Sequence, residues 1–113
     1  MSSRRLSAEQ QRAVLFAALA DETRLRLVTK LASGRSCSIA RLTEGTSLTR
    51  QAVAKHLRVL EQVHIVRGTR VGRENLFTFD PRPVNEMKAY LDRVSAQWDG
   101  ALQRLKAFAE RDE

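Results

Sequence analysis

Apolar residues recur along this chain at helical spacing almost everywhere, with one short exception near residue 70. From Ser7, the residues Val14, Leu15, Ala18 and Leu19 share one face of a helix predicted over about 7–20. Asp21 can accept hydrogen bonds from the free N–H groups of the next turn, so it is the expected cap of a second helix. That helix carries Leu25, Leu27, Val28 and Leu31 and stops near Gly34. Cys37 to Glu44 predicts a short helix with Ile39 and Leu42 inward, closed by Gly45, a residue tolerant of positive φ. Thr46 to Leu48 form a turn, and Thr49 caps a helix running to about Gln62. The period then drops to two. Ile65 to Thr69 and Asn75 to Phe79 have strand character, with Gly72 in the turn between them and Phe77 and Phe79 on one face. Asp80 to Pro83 (DPRP) breaks the sheet. Residues 1–6 are polar and expected to fray.

The helix after Thr49 has two distinct sides. At 100° per residue, Val53, Leu57 and Leu60 form the buried stripe. Gln51, Lys55, Arg58 and Gln62 lie within about 40° of the opposite side. Arg50 lies at the helix start, to one flank. A short helix with a polar, basic face, followed by a hairpin bearing Arg67, Arg70 and Arg73, is the pattern of a winged helix-turn-helix. The expected fold is therefore mainly α with a small β-hairpin. It has about five helices and a two-stranded wing in one domain over 1–113, with the helix-turn-helix at 38–62 and the wing at 65–79.

The last helix is predicted over 84–110. Its apolar residues Val84, Met87, Leu91, Val94, Trp98, Leu102, Leu105 and Ala109 follow a nearly heptad spacing. At 1.5 Å per residue it spans roughly 40 Å, more than so small a domain would cover with its own core. A second copy of the chain is the expected cover. The predicted interface comprises Leu15 and Leu19 of the first helix with Met87, Leu91, Val94, Trp98, Leu102 and Leu105 of the last.

Charge sharpens this picture. The net charge is +7 in 113 residues, and residues 35–73 alone hold eight Lys or Arg against two Asp or Glu. A localised basic patch of this kind is the electrostatic footprint of a polyanion. The expected partner is double-stranded DNA, with Arg50 and Gln51 facing bases and Lys55 and Arg58 facing bases or phosphates. Arg67, Arg70 and Arg73 are expected on the backbone or minor groove. Thr49 caps the helix and meets a phosphate. His56 is expected at the edge of the helix core, with a ring nitrogen in reach of a phosphate. One cysteine, Cys37, excludes an intramolecular disulfide and fits a reducing compartment. The chain opens without an apolar leader, and its longest apolar run, Ala13 to Ala20, is too short for a bilayer. A cytoplasmic location without membrane association is expected. No nucleophile–base constellation is apparent, and GTRVG is not a phosphate-loop pattern, so no enzyme activity and no cofactor are expected.

From Ala17 to Phe79 the chain resembles the ArsR/SmtB family of bacterial repressors. ALADETRLRLV (Ala18 to Val28) resembles the family's opening motif, TRQAVAKHLRVLEQVHIV (Thr49 to Val66) its recognition helix, and VGRENLFTF (Val71 to Phe79) its wing. The long terminal helix resembles a metal-independent branch. The resemblance implies a homodimer that binds a roughly palindromic operator and represses transcription until a signal releases it. Three positions depart from the pattern: Glu22 replaces a common Pro, His64 a common Gly and Ala54 a common Ser. His tolerates the left-handed backbone, so the turn at residue 64 is expected to survive.

Metal sensing in this family uses a Cys-x-Cys pair in the third helix or His with Asp or Glu in the last. In register, this chain has Ser38-Ile39-Ala40, with Cys37 alone outside the pair. The last helix holds Asp92 and Asp99 but no His. A zinc or arsenic site needs three or four converging ligands, so no metal is expected and the effector is left open. A metal- or thiol-responsive repressor and a winged-helix protein-interaction module are the alternatives.

Overall fold

The computed structural model describes residues 6–111. The opening residues expected to fray lie, apart from Leu6, outside that range. Contacts divide the chain into two compact units, Met1–Pro83 and Val84–Glu113.

The first unit begins with α1 (Ala8–Leu19) and α2 (Glu22–Leu31). Ser7 caps α1 in a reciprocal box, its hydroxyl accepting from the Gln10 N–H while the Gln10 side chain accepts from the Ser7 N–H. Asp21 caps α2 as expected, its carboxylate accepting from the Arg24 N–H at 2.9 Å. Next come β1 (Cys37–Ser38), α3 (Ile39–Thr43) and α4 (Arg50–Gln62). The hairpin β2 (Val66–Val71) and β3 (Glu74–Phe79) follows. The positive φ angles at Gly34, Gly45 and His64 close α2, α3 and α4.

Three expectations change here. The short helix predicted from Cys37 starts at Ile39, because Cys37 and Ser38 pair antiparallel with Phe77 and Leu76. The wing is thus part of a three-stranded sheet of order β1-β3-β2. A bond between the Ser36 and Thr78 hydroxyls at 3.0 Å continues that edge. Leu25, predicted to face inward, is 50% exposed. It stands 160° around α2 from the buried Leu27, so it cannot share that residue's face. Val14 on α1 is likewise 46% exposed.

The core of this unit joins Leu27 and Leu31 of α2, Leu42 of α3, and Val53, Leu57 and Leu60 of α4. Ile65, Val66 and Phe77 close it from the sheet. Gly68 sits opposite Phe77, and a Cβ there would lie 3.1 Å from the ring. The hairpin turn has two central residues, Gly72 with φ +63 and Arg73 with negative φ, the pattern of a II′ turn.

The second unit is α5 (Arg82–Arg111) from Val84 onward. The first two residues of α5, Arg82 and Pro83, belong to the first unit. The Asp80 carboxylate accepts from the Arg82 backbone N–H at 3.0 Å and from the guanidinium at 2.6 to 3.1 Å. Leu91, Trp98, Leu102 and Leu105 are each 48% to 65% exposed within the single chain. They fall within about 60° of one another around the helix. Met87, expected in the dimer interface, is 7% exposed in the single chain, and the exposed stripe runs from Leu91. Phe108, absent from the predicted seam, is also exposed and lies just beyond Leu105.

Leu57→Ala should lower the unfolding free energy by about 2–5 kcal/mol, whereas Leu25→Ala should cost under about 0.5 kcal/mol, as read by urea denaturation. Arg82, chiefly through its side-chain bond, lowers the Asp80 carboxyl from its ordinary 3.8 to about 2. A depressed carboxyl stabilises the fold above its ordinary value and loses that contribution as pH falls through the folded value. Between pH 4 and pH 2, Asp80→Asn should therefore show a shallower loss of urea midpoint than wild type.

Candidate nucleic-acid interface

The candidate surface is built on α4 because its inner side is fully used. Val53, Leu57 and Leu60 are each 0% exposed. Burial of that stripe turns Gln51, Lys55, Arg58 and Gln62 outward, and all four are exposed. Arg50 is exposed at the helix entry. Thr49 caps α4, its hydroxyl accepting from the Ala52 N–H at 3.1 Å. The first turn of α4 contains no acidic residue, so the positive end of the helix dipole is not offset there.

The connection into α4 is equally local in origin. Ser38 caps α3 through the Arg41 N–H. Gly45 takes φ +77 after α3, and the Thr46 hydroxyl donates to the Thr43 carbonyl at 2.6 Å. The same oxygen accepts from the Leu48 N–H at 3.3 Å, setting the turn between the helices. Behind α4 the Lys30 ammonium reaches the Leu42 carbonyl at 3.5 Å, tying α2 to α3.

The three wing arginines are exposed but not equivalent. Arg67 and Arg70 are three positions apart on β2 and therefore point to opposite faces. Arg67 stands at the base of the wing, in a cleft shared with Glu61, His64 and Asp80. Arg70 and Arg73 stand at its tip, where the Arg70 Nε donates to the Gly72 carbonyl at 3.4 Å. Arg35 and Arg41 are not among the sequence-predicted contacts. Both are exposed and belong to the same basic stretch.

His56 is placed differently from the outward stripe. It sits half-buried on the inner flank of α4. Its Nδ1 lies 3.3 Å from the Arg24 guanidinium and 3.8 Å from the Asp21 carboxylate. Arg24 also donates through Nε to the Ala18 carbonyl at 2.5 Å and through its other amino group to the Ala17 carbonyl at 3.4 Å. The backbone N–H of Arg24 is the main reason that the Asp21 carboxyl is held below its ordinary value. The sequence marked Asp21 as a cap and gave Arg24 no role.

Comparison with known proteins agrees with this geometry. Residues 19–69 match the helix-turn-helix domain family. The chain is 33% identical over 85 residues to the HTH-type transcriptional regulator YuzN of Bacillus subtilis, covering 69% of this chain and 92% of that one. It is also 33% identical over 85 residues to the HTH-type transcriptional regulator Rv2034 of Mycobacterium tuberculosis, covering 75% and 76%. The solved ArsR-like transcriptional regulator from Rhodococcus sp. RHA1 superposes with a TM-score of 0.80 at 34% identity, over 92% of this chain and 97% of that one. The chain belongs to the ArsR family of helix-turn-helix transcriptional regulators.

This ArsR-family chain is a DNA-binding transcriptional regulator, and the family is not one of enzymes. The domain match runs from the end of α1 into β2, so it contains all of α3, the turn and α4. The likeness to the Rhodococcus regulator reaches further than that match, over nearly the whole chain.

Proposed function

We propose that the chain acts as a homodimeric repressor, binding a roughly palindromic operator near its own gene. The observation that carries this reading is the exposed polar stripe on α4 beside an arginine-bearing wing. Arg50 and Gln51 face bases, where Arg pairs with guanine and Gln with adenine. Lys55 and Arg58 meet bases or phosphates, Thr49 a phosphate at the helix N-terminus, and Arg67, Arg70 and Arg73 the DNA backbone or minor groove. His56, expected within reach of a phosphate, sits on the inner flank of α4 with its ring against Arg24 and is left out of the proposed DNA contacts.

The exposed stripe of Leu91, Trp98, Leu102 and Leu105 supports a dimer, since a run of large apolar side chains open to water is costly for a lone chain. Val94, half-buried, continues that seam, and Leu15 and Leu19 of α1, also half-buried, are assigned to the same partner copy. Two α4 helices related by a twofold axis would read half-sites about one DNA turn apart.

The signal that releases the operator is proposed to be other than a metal. The chain has one cysteine and no His from residue 65 onward. Among the described residues no three His, Cys, Asp or Glu side chains gather in a way that could hold an ion. Among those same residues no helix is long and apolar enough to cross a membrane. A cytoplasmic location fits a regulator of transcription.

Operator affinity measured against salt tests the contacts. Arg73→Ala should flatten the slope of log affinity against log salt by about one unit, as loss of one phosphate contact requires. An unchanged slope would remove Arg73 from the interface. Arg50→Ala should cost about 1–3 kcal/mol and relax base preference at one position. For assembly, Leu91→Asp and Leu102→Asp should each shift sedimentation toward a monomer. Two variants that both remained dimeric would place the seam elsewhere.

A further inference from the structure

We infer that Arg24 and His56 form a positioning device that sets the attitude of α4, and with it the match between the stripe and bases. This inference rests on α4 being the element that reads DNA. One guanidinium joins three helices. Arg24 lies in the first turn of α2, yet its side chain donates to two carbonyls in the last turn of α1, those of Ala17 and Ala18. The third contact is the ring of His56 on α4, thirty-two residues away in sequence. Asp21 completes the group by accepting from the Arg24 backbone N–H and lying 3.8 Å from the same ring nitrogen.

Each contact has a separate physical reason. The carbonyl end of a helix carries partial negative charge, and a guanidinium is a permanent, planar, multi-donor cation that can serve several acceptors at fixed angles. A guanidinium has no acceptor, so the His56 Nδ1 accepts from it and the ring proton lies on Nε2. His56 is half-buried beside the fully buried Leu57, so a shift of its ring moves the inner flank of α4 rather than a free side chain. The core stripe fixes which side of α4 faces inward, but apolar contacts are non-directional and set the fine rotation of the helix less sharply than a hydrogen bond does. The Arg24–His56 contact is directional and supplies that rotational reference.

The consequence is confined to specific binding. Arg24 and His56 are off the outward stripe, so they neutralise no phosphate, and their loss should leave the electrostatic term intact. The test uses the duplex that the wild-type chain selects from a random-sequence pool, with a scrambled duplex of equal length as control. Fluorescence anisotropy is read at several salt concentrations. Arg24→Lys keeps the charge but cannot bridge the two partners. It should weaken the selected duplex about tenfold, as one mis-set base contact would. The scrambled duplex and the salt slope should not change. His56→Gln should do the same. The double variant should lose no more than either single one, because both break one contact.

Additive losses in the double variant would overturn the inference. So would a salt slope reduced by about one unit, which would make either residue a phosphate contact. Equal weakening of both duplexes together with a lowered melting temperature would reduce the cluster to fold maintenance. Selection of no sequence by the wild type would refute the DNA-reading role of α4 itself, and the inference with it. That outcome differs from all the others because it appears before any substitution is made.

Discussion

One helix has to be core and surface at the same time, and the first unit is arranged around that demand. Val53, Leu57 and Leu60 of α4 have no exposed area, so the helix cannot turn without opening the centre of the unit. Their 3.6-residue geometry leaves one direction for Gln51, Lys55 and Arg58. Packing on one side thus determines chemistry on the other. A substitution inside the core can alter DNA binding without touching a polar residue, because the stripe inherits its direction from buried methyl groups.

The wing obeys a comparable rule. Its central strand is β3, held on one side by β2 and on the other by the two residues of β1. That short edge pairing connects the wing to the segment immediately before α3, so the wing is anchored at both ends of the helix-turn-helix. Gly68 allows the Phe77 ring to close over β2. The exposed tip with Gly72, Arg70 and Arg73 therefore extends from a packed base rather than from a free loop.

Much of this was readable from the sequence, for identifiable reasons. The inner stripe of α4, the caps at Asp21 and Thr49 and the turn at Gly72 each depend on local residue chemistry and appear where expected. The features that were missed depend on partners distant in sequence. Cys37 and Ser38 form a strand only because Leu76 and Phe77 lie beside them, and two residues carry no periodicity. Leu25 has the apolar character of its neighbours, but its angle on α2 sets it apart from the buried Leu27. Arg24 has no pattern of its own, and its role comes from the end of α1 and a ring on α4. The candidate contacts on α4 were legible because one helix carries them all. The different positions of Arg67 and Arg70 needed the strand register.

The turn at His64 has a mechanical meaning. Only Val63, His64 and Ile65 separate α4 from β2, and His64 holds the left-handed conformation at φ +63. The Ile65 N–H donates back to the Leu60 carbonyl and the His64 N–H to that of Glu61, while Ile65 itself is fully buried. Helix and hairpin are therefore joined by three residues, two of which hydrogen-bond back to the helix, so the connection leaves little slack between them. The cost of ordering one against the other is met when the chain folds, so none of it is deducted from the encounter with a ligand. Under the proposed reading, such a surface would test the shape of a groove as a unit: a duplex that fitted the helix but was too narrow or too wide beside it would not be met by swinging the hairpin aside.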